Sequence, residues 1–176
     1  MNTLIVTAGE GVVLGQPIYD KLNATRPKTA KTGTNSFYVY QRIDDLTDRV
    51  LSSVDGADCL VIILSAASGI PGTAAFQYEE FLFTYAAELD IPCVLINGRE
   101  DPVNAPHFKK HGDTVKLFVG INPDVCTDAA RSYPGARVLP PMTDLLSDRC
   151  KRVEEAALRV IDEIGLAARN RVVRAA

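Results

Sequence analysis

Six consecutive residues, Cys59-Leu60-Val61-Ile62-Ile63-Leu64, are apolar without a break. A strand with one wet face alternates apolar and polar residues. An unbroken run of this length instead describes a strand buried on both faces, as in a parallel sheet covered by helices. Related runs recur at 3–8, 36–41, 91–96, 115–121 and 136–139, and the segments between them carry helical periodicity. Helices are expected near 17–22, 44–54, 73–89, 123–132 and 143–168. In the third, the apolar stripe reads Phe81, Leu82, Tyr85, Ala86 and Leu89. Strands alternating with helices, joined by right-handed crossovers, predict a single α/β domain over residues 1–168. Its architecture is a doubly wound, mostly parallel sheet of five or six strands, with helices on both faces and the flavodoxin-like order 2-1-3-4-5. Residues 169–176 read as a basic, solvated C-terminal tail. The final helix is long enough to dimerise, although packing on the sheet also explains its apolar stripe.

A chain of 176 residues with 47% hydrophobic and 23% charged residues can build one core of ordinary size. Its net charge of −3 and isoelectric point near 5.4 argue against a general binder of duplex nucleic acid. The longest apolar run falls far short of the ~20 residues of a membrane span. The first residues read directly as a strand rather than as a signal peptide, so a cytoplasmic protein is expected. Cys59, Cys93, Cys126 and Cys150 show no CxxC spacing, and neither a disulfide framework nor a zinc site is expected.

Several site types are disfavoured by spacing. The turn after the first strand holds Gly9, Gly11 and Gly15, which suits phosphate at a helix N-terminus but is not the dinucleotide fingerprint. His107 and His111 stand four apart without a third metal ligand nearby. G-x-S-x-G is absent, which disfavours a serine hydrolase of that type. Thr7-Ala8-Gly9 lacks the acidic cluster of a receiver domain. No metal or cofactor is implied, although sheets of this kind also host flavin at the same edge.

The doublet Glu79-Glu80 is the strongest candidate. It opens a helix just beyond the carboxyl end of the apolar third strand, where open α/β sheets bind ligands. The preceding loop offers Ser65, Ser68, Gly72 and Thr73, while Phe76 and Tyr78 supply flat surface for a base. The plain alternative is a favourable charge at a helix N-terminus, worth about 0.3–1 kcal/mol.

The segment 43–98 resembles the central part of a TIR domain. It has a helix at Asp44–Val54, an apolar strand ending in Ser65, the element Phe76-Gln77-Tyr78-Glu79-Glu80, and the strand Ile91-Pro92-Cys93-Val94-Leu95-Ile96. Phe76 stands where that family usually has Trp. The chain is also similar to nucleoside 2-deoxyribosyltransferases and related nucleotide N-glycosidases, through Pro71-Gly72-Thr73, Glu79 or Glu80, and Tyr85-Ala86. Here the glutamate lies further from Gly-Thr than in that family.

Both resemblances imply cleavage or transfer of an N-glycosidic bond of NAD, a nucleoside or a nucleotide, with Glu80 (or Glu79) as the catalytic carboxylate. In this reading Ser65, Ser68 and Thr73 orient the sugar, and Gly72 permits close approach. Phosphate is held by the Gly9–Gly15 turn, Gly9 and Gly11 foremost, together with Arg42 or Lys31. The rival is a non-catalytic sensor of a nucleotide or cyclic oligonucleotide, or a TIR-like interaction module. Leu4-Ile5-Val6-Thr7-Ala8-Gly9 also resembles the start of a CARF-like sensor.

Overall fold

The computed structural model of the chain describes residues 1–25, 34–40, 45, 47–64, 74–99, 106–145 and 150–175. The sheet strands are β1 Thr3–Ala8, β2 Ser36–Tyr40, β3 Cys59–Leu64, β4 Cys93–Asn97, β5 Val115–Gly120 and β6 Arg137–Val138. All pairings are parallel and the spatial order is β2-β1-β3-β4-β5-β6. This is the expected flavodoxin-like, doubly wound order with β6 added at one edge.

The helices are α1 Val12–Ala24, α2 Asp48–Asp55, α3 Ala74–Glu88, α4 Pro106–Lys110, α5 Pro123–Ser132 and α6 Lys151–Ala175. Every residue of β1, β3 and β4 is buried, as helix layers on both faces require. One layer of core joins Leu60, Ile62 and Leu64 to Val50, Val54, Leu82, Phe83, Val125 and Ala129, and so lies under α2, α3 and α5. The other joins Val61, Ile63 and Ile96 to Leu14, Ile18, Val153, Ala157 and Ile161, under α1 and α6. Alternate side chains of β3 thus feed opposite layers, which is why its sequence has no polar position. A Lys21–Glu154 ion pair ties α1 to α6.

Several boundaries differ from the sequence expectation. The helix α1 starts at Val12 and carries Pro17 inside it, because the glycine-rich turn closes as a 3-10 turn at Gly9–Gly11 and runs straight into the helix. Between β4 and β5 stands a helix absent from the expected set, α4, whose Phe108 is buried against Phe83 at 4.5 Å between ring centroids. On α3 the buried stripe is Tyr78, Leu82, Phe83, Ala86 and Ala87, whereas Phe81 and Leu89 are each 46% exposed. Leu82 and Ala86 of the expected stripe are buried, and sheet contact turns the helix so that Tyr78 and Phe83 join them in place of Phe81 and Leu89. Finally, α6 continues through 169–175, since no glycine or proline follows Gly165 to end it. Among the described residues, no helix is long and apolar enough to cross a membrane.

Two strand cysteines make stability depend on alkaline pH. Burial, then the nearby Asp58 charge, pushes the Cys59 thiol from 9.0 up to about 12. Burial, then Cys59, raises Cys93 well above its ordinary value. Below pH 9 both thiols keep their protons in the folded and the unfolded chain. Above it the unfolded chain loses them first, so the folded state binds more protons and stability falls as pH rises. Each such thiol contributes a slope of about 1.4 kcal/mol per pH unit, for Cys59 until pH nears its folded value. Cys59→Ala is expected to flatten the fall between pH 9 and about 12 by close to one proton's worth. Urea unfolding across that range measures it, and an unchanged slope would clear Cys59 of the effect.

Candidate functional site

The strands end level along the sheet's carboxyl edge. Ala8 pairs with Tyr40, Thr7 with Ile63, Leu64 with Asn97, and Asn97 with Gly120. The chain runs outward in opposite directions from β1 and β3, so the topological switch point lies between them.

The helix after β3, α3, starts at Ala74, so the acidic doublet does not open it as expected: Glu79 lies in the second turn and is fully buried. The Tyr40 hydroxyl, from the last residue of β2, donates to its Oε1. The Arg99 guanidinium, two residues beyond the end of β4, donates through Nη2 to its Oε2 and forms an ion pair. Arg99 is only 7% exposed. One carboxylate therefore gathers a phenol from one side of the switch point and a cation from the other. A buried carboxylate needs such partners, because its charge loses the hydration that water supplied.

The partners are themselves fixed. Tyr40 stacks on Tyr78 with ring centroids 4.2 Å apart and planes 16° from parallel. Burial foremost, then the Glu79 charge and hydrogen bond, raise Tyr40 well above the usual tyrosine value, so it keeps its proton and acts as the donor. At the end of β4, the Arg99 backbone N–H donates to Asn97 Oδ1 at 3.2 Å, and the Gly98 N–H donates to Leu64 O at 2.7 Å. These bonds pin the turn that carries Arg99. They also assign the Asn97 amide, whose buried Nδ2 has no hydrogen-bond partner.

Of the residues singled out from sequence, Glu79 turns inward and Glu80, one position on, is half-buried. A single helical step of about 100° accounts for the difference. Gly9 is exposed at the carboxyl end of β1, and a Cβ there would meet nothing within 4 Å. Gly11 is buried; a Cβ would lie 1.9 Å from Thr7 Oγ1 and 2.8 Å from Ile63 Cγ2, so close packing of the turn on the strands explains it. Phe76 belongs to the first turn of α3, and its side chain lies outside the described residues. Arg42, Ser65, Ser68, Gly72 and Thr73, and likewise Lys31, also lie outside them.

Tyr40, Arg99 and Asn97 were not singled out from sequence. Their one signal is position: each stands at, or just past, the carboxyl end of an expected strand, where ligand-facing residues of open sheets cluster. Among the described residues no group of three or more His, Cys, Asp and Glu is arranged to hold a metal. The three described cavities do not adjoin the Glu79 cluster, and the largest, about 880 Å³, opens on the opposite, amino-terminal edge.

Fold and site together define a doubly wound, flavodoxin-like α/β protein with a buried Tyr–Glu–Arg cluster at its carboxyl edge. No family model, curated protein or solved structure is significantly similar to the chain.

Proposed function

We propose that this protein binds a nucleoside or nucleotide at the carboxyl edge of the sheet and cleaves or transfers its N-glycosidic bond. The acidic doublet Glu79-Glu80 in the second turn of α3 supplies the reacting carboxylate. The observation that carries this reading is the convergence of Tyr40 and Arg99 on the fully buried Glu79 at the switch point.

The chemistry needs a fixed negative charge beside the anomeric carbon. As the C1′–N bond breaks, its electron pair leaves with the base and positive charge develops on the ribose as an oxocarbenium-like ion. A carboxylate stabilises that charge or forms a bond to C1′, and water or an acceptor nucleoside then takes the sugar. With a nucleoside or nucleotide the water or acceptor proton passes to the departing base nitrogen; with NAD the nicotinamide leaves neutral, and the proton goes to solvent. Tyr40 and Arg99 hold the Glu79 oxygens in position, and the half-buried Glu80 lies one residue along the same turn.

A second reading, a binding module without turnover, is favoured by one feature: both Glu79 oxygens are already engaged, one by Tyr40 and one by Arg99. Glu80→Gln and Glu79→Gln separate the two. Release of base or nicotinamide from nucleosides, nucleotides and NAD is followed by chromatography, with folding checked by circular dichroism. The glycosidase reading expects at least one folded variant to lose about 100-fold in rate. Turnover untouched in both folded variants eliminates the doublet, and ligand-induced thermal stabilisation with no product from the native chain selects the binding module.

A further inference from the structure

The amino-terminal edge of the sheet carries a second surface with its own chemistry. The helix α6 reaches this edge at Gly165, where a Cβ would lie 2.8 Å from Met1 Sδ. It then continues to Ala175, about 15 Å beyond the sheet. From Arg169 onward the sequence holds three arginines and no aspartate or glutamate. Leu166, the first residue of this overhang, is 54% exposed.

Beside the overhang lies the groove of about 880 Å³, floored by Pro92, Val160, Ile164 and Ala167. Four carboxylates line it, Asp58, Asp90, Asp113 and Glu163, against two cations, Lys116 and Arg137. Arg137 is paired with Glu163 at 3.4 Å, and Asp58 receives the Asn2 backbone N–H at 2.7 Å. Asp90 and Asp113 are exposed, with no ion-pair partner among the described residues. Among the described residues, three of the six exposed large apolar ones, Met1, Leu89 and Leu166, belong to this end of the molecule. Ala167 and Ala168 at the root of the overhang line its own groove, whereas Arg169, the next turn's first cation, does not; the apolar floor and acidic rim are thus left to the arginine-rich helix end of a second molecule.

We infer that two copies of this chain form a two-fold dimer in which the α6 overhang of each seats in the acidic groove of the other. The arrangement is isologous, so it closes at two copies and leaves neither overhang unpaired. Ala167 and Ala168 permit close approach of the two helices. Attraction between the arginine-rich end and the acidic rim sets the register of the pair, while the apolar contacts supply most of the affinity.

Size-exclusion chromatography with light scattering on the full chain tests this through a charge swap. The native chain is expected at twice 19.1 kDa. A tail variant, Arg169→Glu/Arg171→Glu/Arg174→Glu, and a groove variant, Asp113→Lys/Glu163→Lys, are each expected at 19.1 kDa with unchanged circular dichroism. Mixing the two variants restores opposite charge at both contacts, and the mass is expected to return to twice 19.1 kDa. A monomeric native chain overturns the inference, as does an assembly that survives either reversal. Failure of the two folded variants to pair with each other overturns it as well.

Discussion

Arg99→Ala is expected to lower the free energy of unfolding by about 3–5 kcal/mol, far more than the loss of a surface ion pair. The substitution takes the Arg99 guanidinium from Glu79, which is 0% exposed, in a site where water cannot replace it. Tyr40 holds the other carboxylate oxygen and supplies no charge. Glu79→Ala is expected to cost a similar amount, because it removes the carboxylate that Arg99, itself 7% exposed, is paired with. The double variant Glu79→Gln/Arg99→Met tests the cause. If unpaired charge is the penalty, removing both charges costs clearly less than the sum of the two single losses. Urea denaturation of all variants, with constant m-values to keep the comparison valid, reads the coupling directly. A loss under about 1 kcal/mol in Arg99→Ala would mean that the pair is not buried in solution. Arg99→Lys is not a safe control, since an ammonium lacks the planar fork that reaches the carboxylate from the Asn97 turn.

Tyr78 gives the second large effect, and its two substitutions are expected to have opposite signs. Tyr78→Ala removes a fully buried aromatic from the layer under α3 and takes away the ring on which Tyr40 stacks at 4.2 Å. A loss of about 3–5 kcal/mol is expected, the usual cost of truncating a buried aromatic to alanine. Tyr78→Phe keeps the stacked ring and removes a buried hydroxyl that has no hydrogen-bond partner. An unsatisfied buried hydroxyl costs about 1–3 kcal/mol, so Phe is expected to be neutral or stabilising. Thermal and urea unfolding measure both variants. A Phe variant less stable than the native chain would reveal a partner for the hydroxyl, and an Ala variant of native stability would remove the Tyr40–Tyr78 stack from the account of how the cluster is held.

These predictions all concern residues around one carboxylate, and that carboxylate was only partly legible in the chain. Glu79 and Glu80 stand out in the chain because an acidic doublet follows the most apolar strand near the start of an expected helix, a property of sequence order alone. Which of them faces the protein depended on the phase of α3. Two apolar faces compete on that helix and share Leu82 and Ala86, one adding Phe81, Tyr85 and Leu89 and the other Tyr78 and Phe83. Periodicity weighs them almost equally. The sheet selects the second because Tyr78 meets Tyr40 and Phe83 meets Phe108, contacts between residues 38 and 25 positions apart. Gly11 shows the same limit from the other side. Its place in a glycine-rich turn suggested a phosphate loop, whereas Thr7 and Ile63 explain its lack of a side chain through packing.

Local pattern sufficed for the layered architecture. The unbroken apolar run of β3, the alternation of strand and helix, and the handedness of crossovers lead to a parallel doubly wound sheet, because each depends on neighbours in sequence or on general stereochemistry. The partners of Glu79 needed three-dimensional closure. Tyr40 and Arg99 lie 39 and 20 positions from Glu79, and only the ordering of β2, β1, β3 and β4 across the sheet brings a phenol and a guanidinium to opposite oxygens of one acid. Burial and charge pairing are properties of what surrounds a side chain, and a linear pattern carries no record of those surroundings.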